Sequence, residues 1–218
     1  MDPYYIRLKY NDLARSETES WARCAYKSEV AQDMKFKAAQ ALIDFSKIDF
    51  LLDAGCGDGR FINSILGGKV RAVGIDVSEE MIDIARHGTR IEDLNWFEAC
   101  ELENLDRSYA MMCRKKDFDC ITCIGVIQCI KEEEPVLNEF YKVARFGAQL
   151  LIIGLDSRSV DPSKKPAGYD LYDRNPKELE YKLYKIGFRT IKSGGINLDG
   201  TLTTRQTRDF FILARKEF

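Results

Sequence analysis

Hydrophobic positions along the chain follow two rhythms. Up to Phe45 they fall at helical spacing, as Trp21, Ala25, Val30, Met34, Ala38 and Leu42 do, which predicts a helical cap ahead of the first strand. Five apolar runs follow: FLLDA (50–54), KVRAVGI (69–75), FDCITCI (118–124), QLLIIGL (149–155) and DFFILAR (209–215). They read as strands covered on both faces. Helical stretches such as FINSIL, SEEMIDIAR, EEEPVLNEFYKVAR and NPKELEYKLYKIG lie between them, and this alternation predicts right-handed crossovers and a parallel sheet. Weaker strands are expected at Asn95 to Phe97 and, after the helix-ending Gly187, at Phe188 to Lys192. The last two strands are joined by SGGINLDGTLTTRQT, too polar and short for a crossover helix, so the final strand is expected to run antiparallel.

At 218 residues the chain suits one domain, with residues 1–47 as the cap and 48–218 as the core. The formal net charge is −2 and no long block carries one sign, which disfavours a nucleic-acid partner and favours a small molecule. No apolar stretch approaches the roughly 18 residues that span a membrane, and the first residues are charged, so a cytoplasmic protein without membrane insertion is expected. Seven cysteines, three of them at Cys120, Cys123 and Cys129, read as reduced thiols. Cys120 and Cys123 form a lone CxxC; zinc would need two more ligands, and the only histidine is His87, so two cysteines on a core strand is the plainer reading and no metal is expected. Oligomeric state leaves no mark on these features.

The segment FLLDAGCGDGRFINSIL carries the most chemistry: a strand, Asp53, a turn with Gly55, Gly57 and Gly59, then a helix. Glycine admits dihedrals closed to other residues and lets backbone approach a ligand. Dinucleotide folds use a related GxGxxG turn. Here the spacing is GxGxG, Asp53 precedes it and Asp58 sits inside it; a pyrophosphate would be repelled, whereas S-adenosylmethionine (SAM) carries a cationic ammonium and a sulfonium. Asp76 ends the second strand in VGIDVSEEM, 17 residues after Gly59, where an acid grips a ribose diol. The alternative makes Asp76 a helix cap, although Ser78 already suits that role.

DAGCGDG, GIDVS, FDCITCIGVIQCI and the closing KELEYKLYKIGFRTIKS and FFILARK resemble a class I SAM-dependent methyltransferase, over nearly all of the chain after Phe50. The likeness is greatest to the small-molecule branch that includes ubiquinone and menaquinone biosynthesis methyltransferases. It implies an α/β, three-layer, Rossmann-like sheet of seven strands in the order 3-2-1-4-5-7-6, strand 7 antiparallel. It further implies that Asp53, Gly55 and Gly57 contact or orient the methionine part, that Ala54, Cys56 and Gly59 belong to the same cofactor site, and that Asp76 holds the ribose. Glu101 would meet the adenine amino group, where the family usually has Asp, with Leu102 offering its backbone N–H. Val77 and Met81 would pack on the nucleoside, or simply belong to the core; Ile124 and Gly125 would lie against the methionine part. The product is S-adenosylhomocysteine (SAH), formed by direct in-line displacement onto a small-molecule O, N or C acceptor.

Gln128 stands where relatives often carry His, and His87 falls at a solvated helix end, so no histidine base is expected. Either a Tyr, Asp or Glu takes the acceptor proton, or the acceptor needs no strong base. Candidates on the acceptor side are Tyr4, Tyr5, Tyr10, Gln128, Asp156, Tyr169 and Tyr172. The polar loop from Asp156 to Arg174 is either a lid or an ordinary surface connection, and RSYAMMCRKK reads as a helix packing its Met face inward. Three other readings stay open: transfer of another SAM-derived group such as aminopropyl, a SAM-fold binding or assembly module without turnover, and a nicotinamide dehydrogenase.

Overall fold

A computed structural model describes residues 3–89, 95–112, 118–156, 171–172 and 174–217. The cap is three helices, α1 (Pro3–Ser16), a single turn α2 (Ser20–Arg23) and α3 (Glu29–Leu42). Ser28 starts α3 by accepting the Ala31 N–H at 3.2 Å, so a polar side chain ends the run that the spacing alone would have continued.

The core strands are β1 (Phe50–Ala54), β2 (Arg71–Asp76), β3 (Asn95–Ala99), β4 (Phe118–Ile124), β5 (Ala144–Leu155), β6 (Phe188–Ile196), β7 (Leu202–Thr203) and β8 (Asp209–Lys216). They form one sheet in the order β3-β2-β1-β4-β5-β8-β6-β7. β8 pairs antiparallel with both β5 and β6, as the short polar link demanded. The sheet has eight strands where seven were expected. The extra one, β7, arises inside that link: Asn197 accepts the Gly200 N–H and donates to Thr201, and the reversal lays Leu202 and Thr203 beside Gly195 and Ile196. Two residues are too few to show a period in the sequence.

Helices α4 (Glu79–Gly88), α5 (Leu105–Met112), α6 (Glu133–Val143) and α7 (Pro176–Ile186) cover the sheet. FINSIL is helical with π geometry, closed by the Gly67 N–H on the Ile62 carbonyl at 3.2 Å. Gly187, at φ +115°, ends α7 as expected. Two apolar cores result, one on each sheet face. Cys120 and Cys123 are fully buried in different cores, since residues three apart on a strand point to opposite faces, so they share no metal. Six cysteines are free thiols among the described residues, and no group of residues suited to a metal occurs among them. No described helix is long and apolar enough to cross a membrane. The side chains of residues 109–112, and residues 113–117, lie outside the described residues, so the inward Met face of α5 does too.

Candidate active site

The carboxyl ends of β1, β2 and β4 meet the cap around a cavity of about 670 Å³, within the range of small-molecule sites. On its floor Asp53, 3% exposed, accepts the Thr122 hydroxyl at 2.7 Å. Loss of water outweighs that hydrogen bond, and with the nearby Asp76 charge it pushes the Asp53 carboxyl up to about 7.

The glycine turn follows. Gly55, Gly57 and Gly59 have φ of +81°, +54° and +76°, the left-handed region closed to most side chains. Gly55 and Cys56 donate their N–H groups to the Ile75 carbonyl at 2.7 and 2.9 Å. Gly57 donates to Asp76 Oδ2 at 3.0 Å, and the Ser78 N–H reaches Asp76 Oδ1 at 2.9 Å. The turn therefore has spent these three N–H groups within the protein, and a diphosphate would have to compete with Asp76 for one of them. Ser78 caps α4 by accepting the Met81 N–H at 3.2 Å, which leaves Asp76 to tie the tip of β2 to the turn. Loss of hydration raises the Asp76 carboxyl above its usual range.

Eleven of the thirteen residues expected at a cofactor line this cavity: Asp53, Gly55, Cys56, Gly57, Asp76, Val77, Met81, Glu101, Leu102, Ile124 and Gly125. Ala54 and Gly59 do not. Ala54 is fully buried in the sheet core. A Cβ on Gly59 would come within 2.8 Å of Ala85 Cβ and 3.1 Å of the Phe97 ring, so this glycine serves the packing of α4 and β3.

Asp58 corrects the charge argument from sequence. It is 7% exposed and holds the cap: Arg23 reaches it at 3.1 Å, and Ser20 Oγ donates at 2.9 Å. Its charge is matched within the protein. Arg23→Ala strands this carboxylate, and a loss of about 2 kcal/mol in urea unfolding is expected.

Along α1, Arg7, Asn11 and Arg15 lie four apart on one face and each meets the core. Arg7 pairs with Glu101 at 2.9 Å, Asn11 Oδ1 accepts the Ser78 hydroxyl at 2.6 Å, and Arg15 pairs with Glu80 at 2.5 Å. The Glu101 carboxylate thus has Arg7 on one oxygen and Asn104 on the other at 3.2 Å. Ile6 and Tyr10 face the cavity from the same helix.

The acceptor-side candidates separate. Tyr10 and Tyr172 line the cavity. Gln128, 6% exposed, donates to the Gly125 carbonyl at 2.6 Å and is not on the cavity wall. Asp156, 1% exposed, accepts from Gln206 at 3.0 Å beside β8, away from the wall. Tyr4 and Tyr5 are exposed, and His87 lies exposed at the end of α4. Tyr169 and residues 157–170 of the suggested lid lie outside the described residues. Arg174, just beyond, is buried and donates to the carbonyls of Ile127 and Ile130, which fixes the start of α7 against the loop after β4.

Among the wall residues that escaped the sequence reading are Cys24 and Tyr26. A Cβ on Gly57 would lie 2.7 Å from Cys24 Sγ, and one on Gly125 would lie 2.5 Å from the Tyr26 hydroxyl. Both glycines are thus roofed by the segment after α2. No local pattern marks them, because they arrive through a tertiary contact.

A family model described as a methyltransferase domain matches residues 29–182, more than two-thirds of the chain. The chain belongs to the class I SAM-dependent methyltransferases. The Ubiquinone biosynthesis O-methyltransferase of Coxiella burnetii (strain Dugway 5J108-111) is 25% identical over 101 residues, which cover 46% of this chain and 41% of that protein. The match therefore spans about two-fifths of the length of that curated relative. Among solved structures, a chain of the complex between the Trm112 methyltransferase activator of Haloferax volcanii and a methyltransferase superposes with a TM-score of 0.72 at 13% identity, covering 96% of this chain and 98% of that one. Magnesium protoporphyrin IX methyltransferase of Synechocystis PCC 6803, with bound SAH, gives 0.68 at 17% identity over 100% of both chains. At these identities the structural likeness carries the fold. The family's cofactor is SAM, and the eight-stranded sheet is its Rossmann-like sheet with one edge strand added.

Proposed function

We propose that this methyltransferase binds SAM across the glycine turn and transfers its methyl group to a small-molecule acceptor by in-line displacement. What supports the reading is one observation: two carboxylates, Asp53 and Asp76, face a largely carbon-lined cavity and are both raised by loss of hydration. Among the described residues no cation meets this pair, and a ligand carrying an ammonium and a sulfonium satisfies it. When bound, SAM supplies an activated methyl group. In this reading Asp53 and Asp76 orient the methionine and ribose portions, while Val77, Met81 and Leu102 enclose the nucleoside. Glu101 meets the adenine edge with the oxygens it now shares between Arg7 and Asn104. The cap excludes water, so position rather than proton transfer does most of the work.

The charge argument sets a pH dependence. Asp53 must be ionised to receive a cation, and in the empty protein it titrates at about 7. SAM affinity is therefore expected to fall about tenfold from pH 8 to pH 6, with a proton released on binding near neutrality. Calorimetry in buffers of different ionisation enthalpy reads both, and a flat profile would remove Asp53 from the site. The sign for folding is opposite. A carboxyl raised in the folded state stabilises fully below its unfolded pKa near 3.8, and that contribution is lost as pH climbs through 7.

A direct test of the reading is calorimetric titration with SAH and, separately, NAD. Micromolar SAH binding without NAD binding is expected; the reverse would replace the methyltransferase reading with a dehydrogenase.

A further inference from the structure

We propose that the methyl acceptor is an oxyanion, held by the Tyr10 and Tyr26 hydroxyls acting together as hydrogen-bond donors. The chemical class is a carboxylate or an already ionised phenol or enol. This rests on the methyl-transfer reading above and names the substrate for the same cavity.

Both phenols line the cavity, one from α1 and one from the segment after α2. Among the described residues each hydroxyl has a single weak partner. Tyr26 donates to the Ile124 carbonyl at 3.5 Å, the outer limit of a hydrogen bond, and Tyr10 contacts Cys129 Sγ at 3.7 Å. Sulfur is a poor acceptor. Two O–H groups are therefore available to a ligand that accepts.

The chain sets Tyr26 in place at some cost. Ala25, at φ +57°, is the sole non-glycine residue with positive φ among the described residues. Its N–H reaches the Ala22 carbonyl at 2.9 Å and the Tyr26 N–H reaches Trp21 at 2.8 Å, the left-handed cap that normally takes glycine. Strain of this kind persists where surroundings over-determine the backbone, and it gathers at ligand clamps.

The cavity wall carries the acids Asp53, Asp58, Asp76, Glu101 and Glu103 and the base Arg60. An ammonium lies over each phenol ring, Lys9 Nζ at 5.2 Å from the Tyr10 centroid and Lys35 Nζ at 5.1 Å from that of Tyr26. Lys35 is 4% exposed and paired with Asp209 at 3.0 Å; Lys131 and Glu132 stand exposed at the rim. Loss of hydration holds both phenols well above their ordinary range, so each stays a donor and neither accepts a proton. Cys24 and Cys129 are raised too and remain neutral thiols.

An oxyanion asks nothing more of these groups. Its lone pair forms the new O–C bond as the C–S bond breaks, and that bond's electron pair stays on sulfur, leaving a neutral thioether and a neutral methyl ester or ether. No proton moves. An ammonium or neutral alcohol would have to shed one.

The test uses three probes of one size, benzoate, benzylamine and benzyl alcohol, titrated into the full chain saturated with SAM and followed by ligand-observed NMR. Benzoate is expected to bind at least tenfold more tightly than either neighbour, and more tightly with SAM than with SAH, whose sulfur is uncharged. Tyr10→Phe and Tyr26→Phe each weaken benzoate about tenfold while SAM affinity moves less than threefold. Equal or tighter binding of the amine or the alcohol, no benzoate binding at millimolar concentration, or indifference of benzoate to both substitutions overturns the proposal. Failure of SAM itself to bind overturns the methyl-transfer reading, and this one with it.

Discussion

Asp76→Ala is expected to weaken SAM and SAH at least 100-fold, the largest effect expected from removing one charged side chain of the cavity. One carboxylate accepting two ribose hydroxyls contributes on the order of 3 kcal/mol, since hydrogen bonds to a charged group are worth about 1.5–3 kcal/mol each. The same side chain also holds the Gly57 and Ser78 N–H groups, so alanine both removes the sugar anchor and releases the turn. Asp76→Asn separates the two effects: its amide oxygen still serves one backbone donor, and an intermediate loss is expected. Calorimetry of SAH binding reads both variants. Asp76 also raises Asp53, so either substitution moves the midpoint of the pH dependence below 7. A tightly binding alanine variant would end the ribose assignment.

Gly57→Val should abolish cofactor binding while leaving a folded core. At φ +54° a β-branched residue is a steric outlier, costing roughly 1–2 kcal/mol, and its Cβ would stand 2.7 Å from Cys24 Sγ. The collision drives the segment holding Cys24 and Tyr26 away from the turn, opening the cavity from above. Adding Cys24→Ala relieves the clash and leaves the dihedral cost, so the double variant is expected to regain only part of the affinity. Far-UV circular dichroism confirms the sheet, and calorimetry reports the affinity. Unchanged SAH binding by Gly57→Val would mean that the turn does not border the ligand.

Strands β1 and β4 begin and end where their apolar runs do, because a strand buried on both faces is written in consecutive residues. Ser78 at the start of α4 and Gly187 at the end of α7 were readable for a similar reason: caps act on their own helix. The antiparallel β8 followed from a link too short to cross the sheet.

Asp58 shows where such reading stops. An acid within a glycine turn suggested a field for a cationic ligand, but Arg23 and Ser20, distant in sequence, take that charge to fasten the cap. Gln128 and Asp156 stood at strand tips, yet their side chains turn to Gly125 and Gln206. Tyr26 carried no local sign at all.

By itself, then, the order of residues determined the alternation of strands and helices, the acid-flanked glycine turn and the family likeness, since each rests on neighbours within a few positions or on one rigid periodicity. Only the tertiary structure decided which side chains face the cavity, which charges are matched, and how the cap roofs the turn. Those outcomes depend on contacts between residues tens of positions apart, whose energies exist only once the sheet has brought them together.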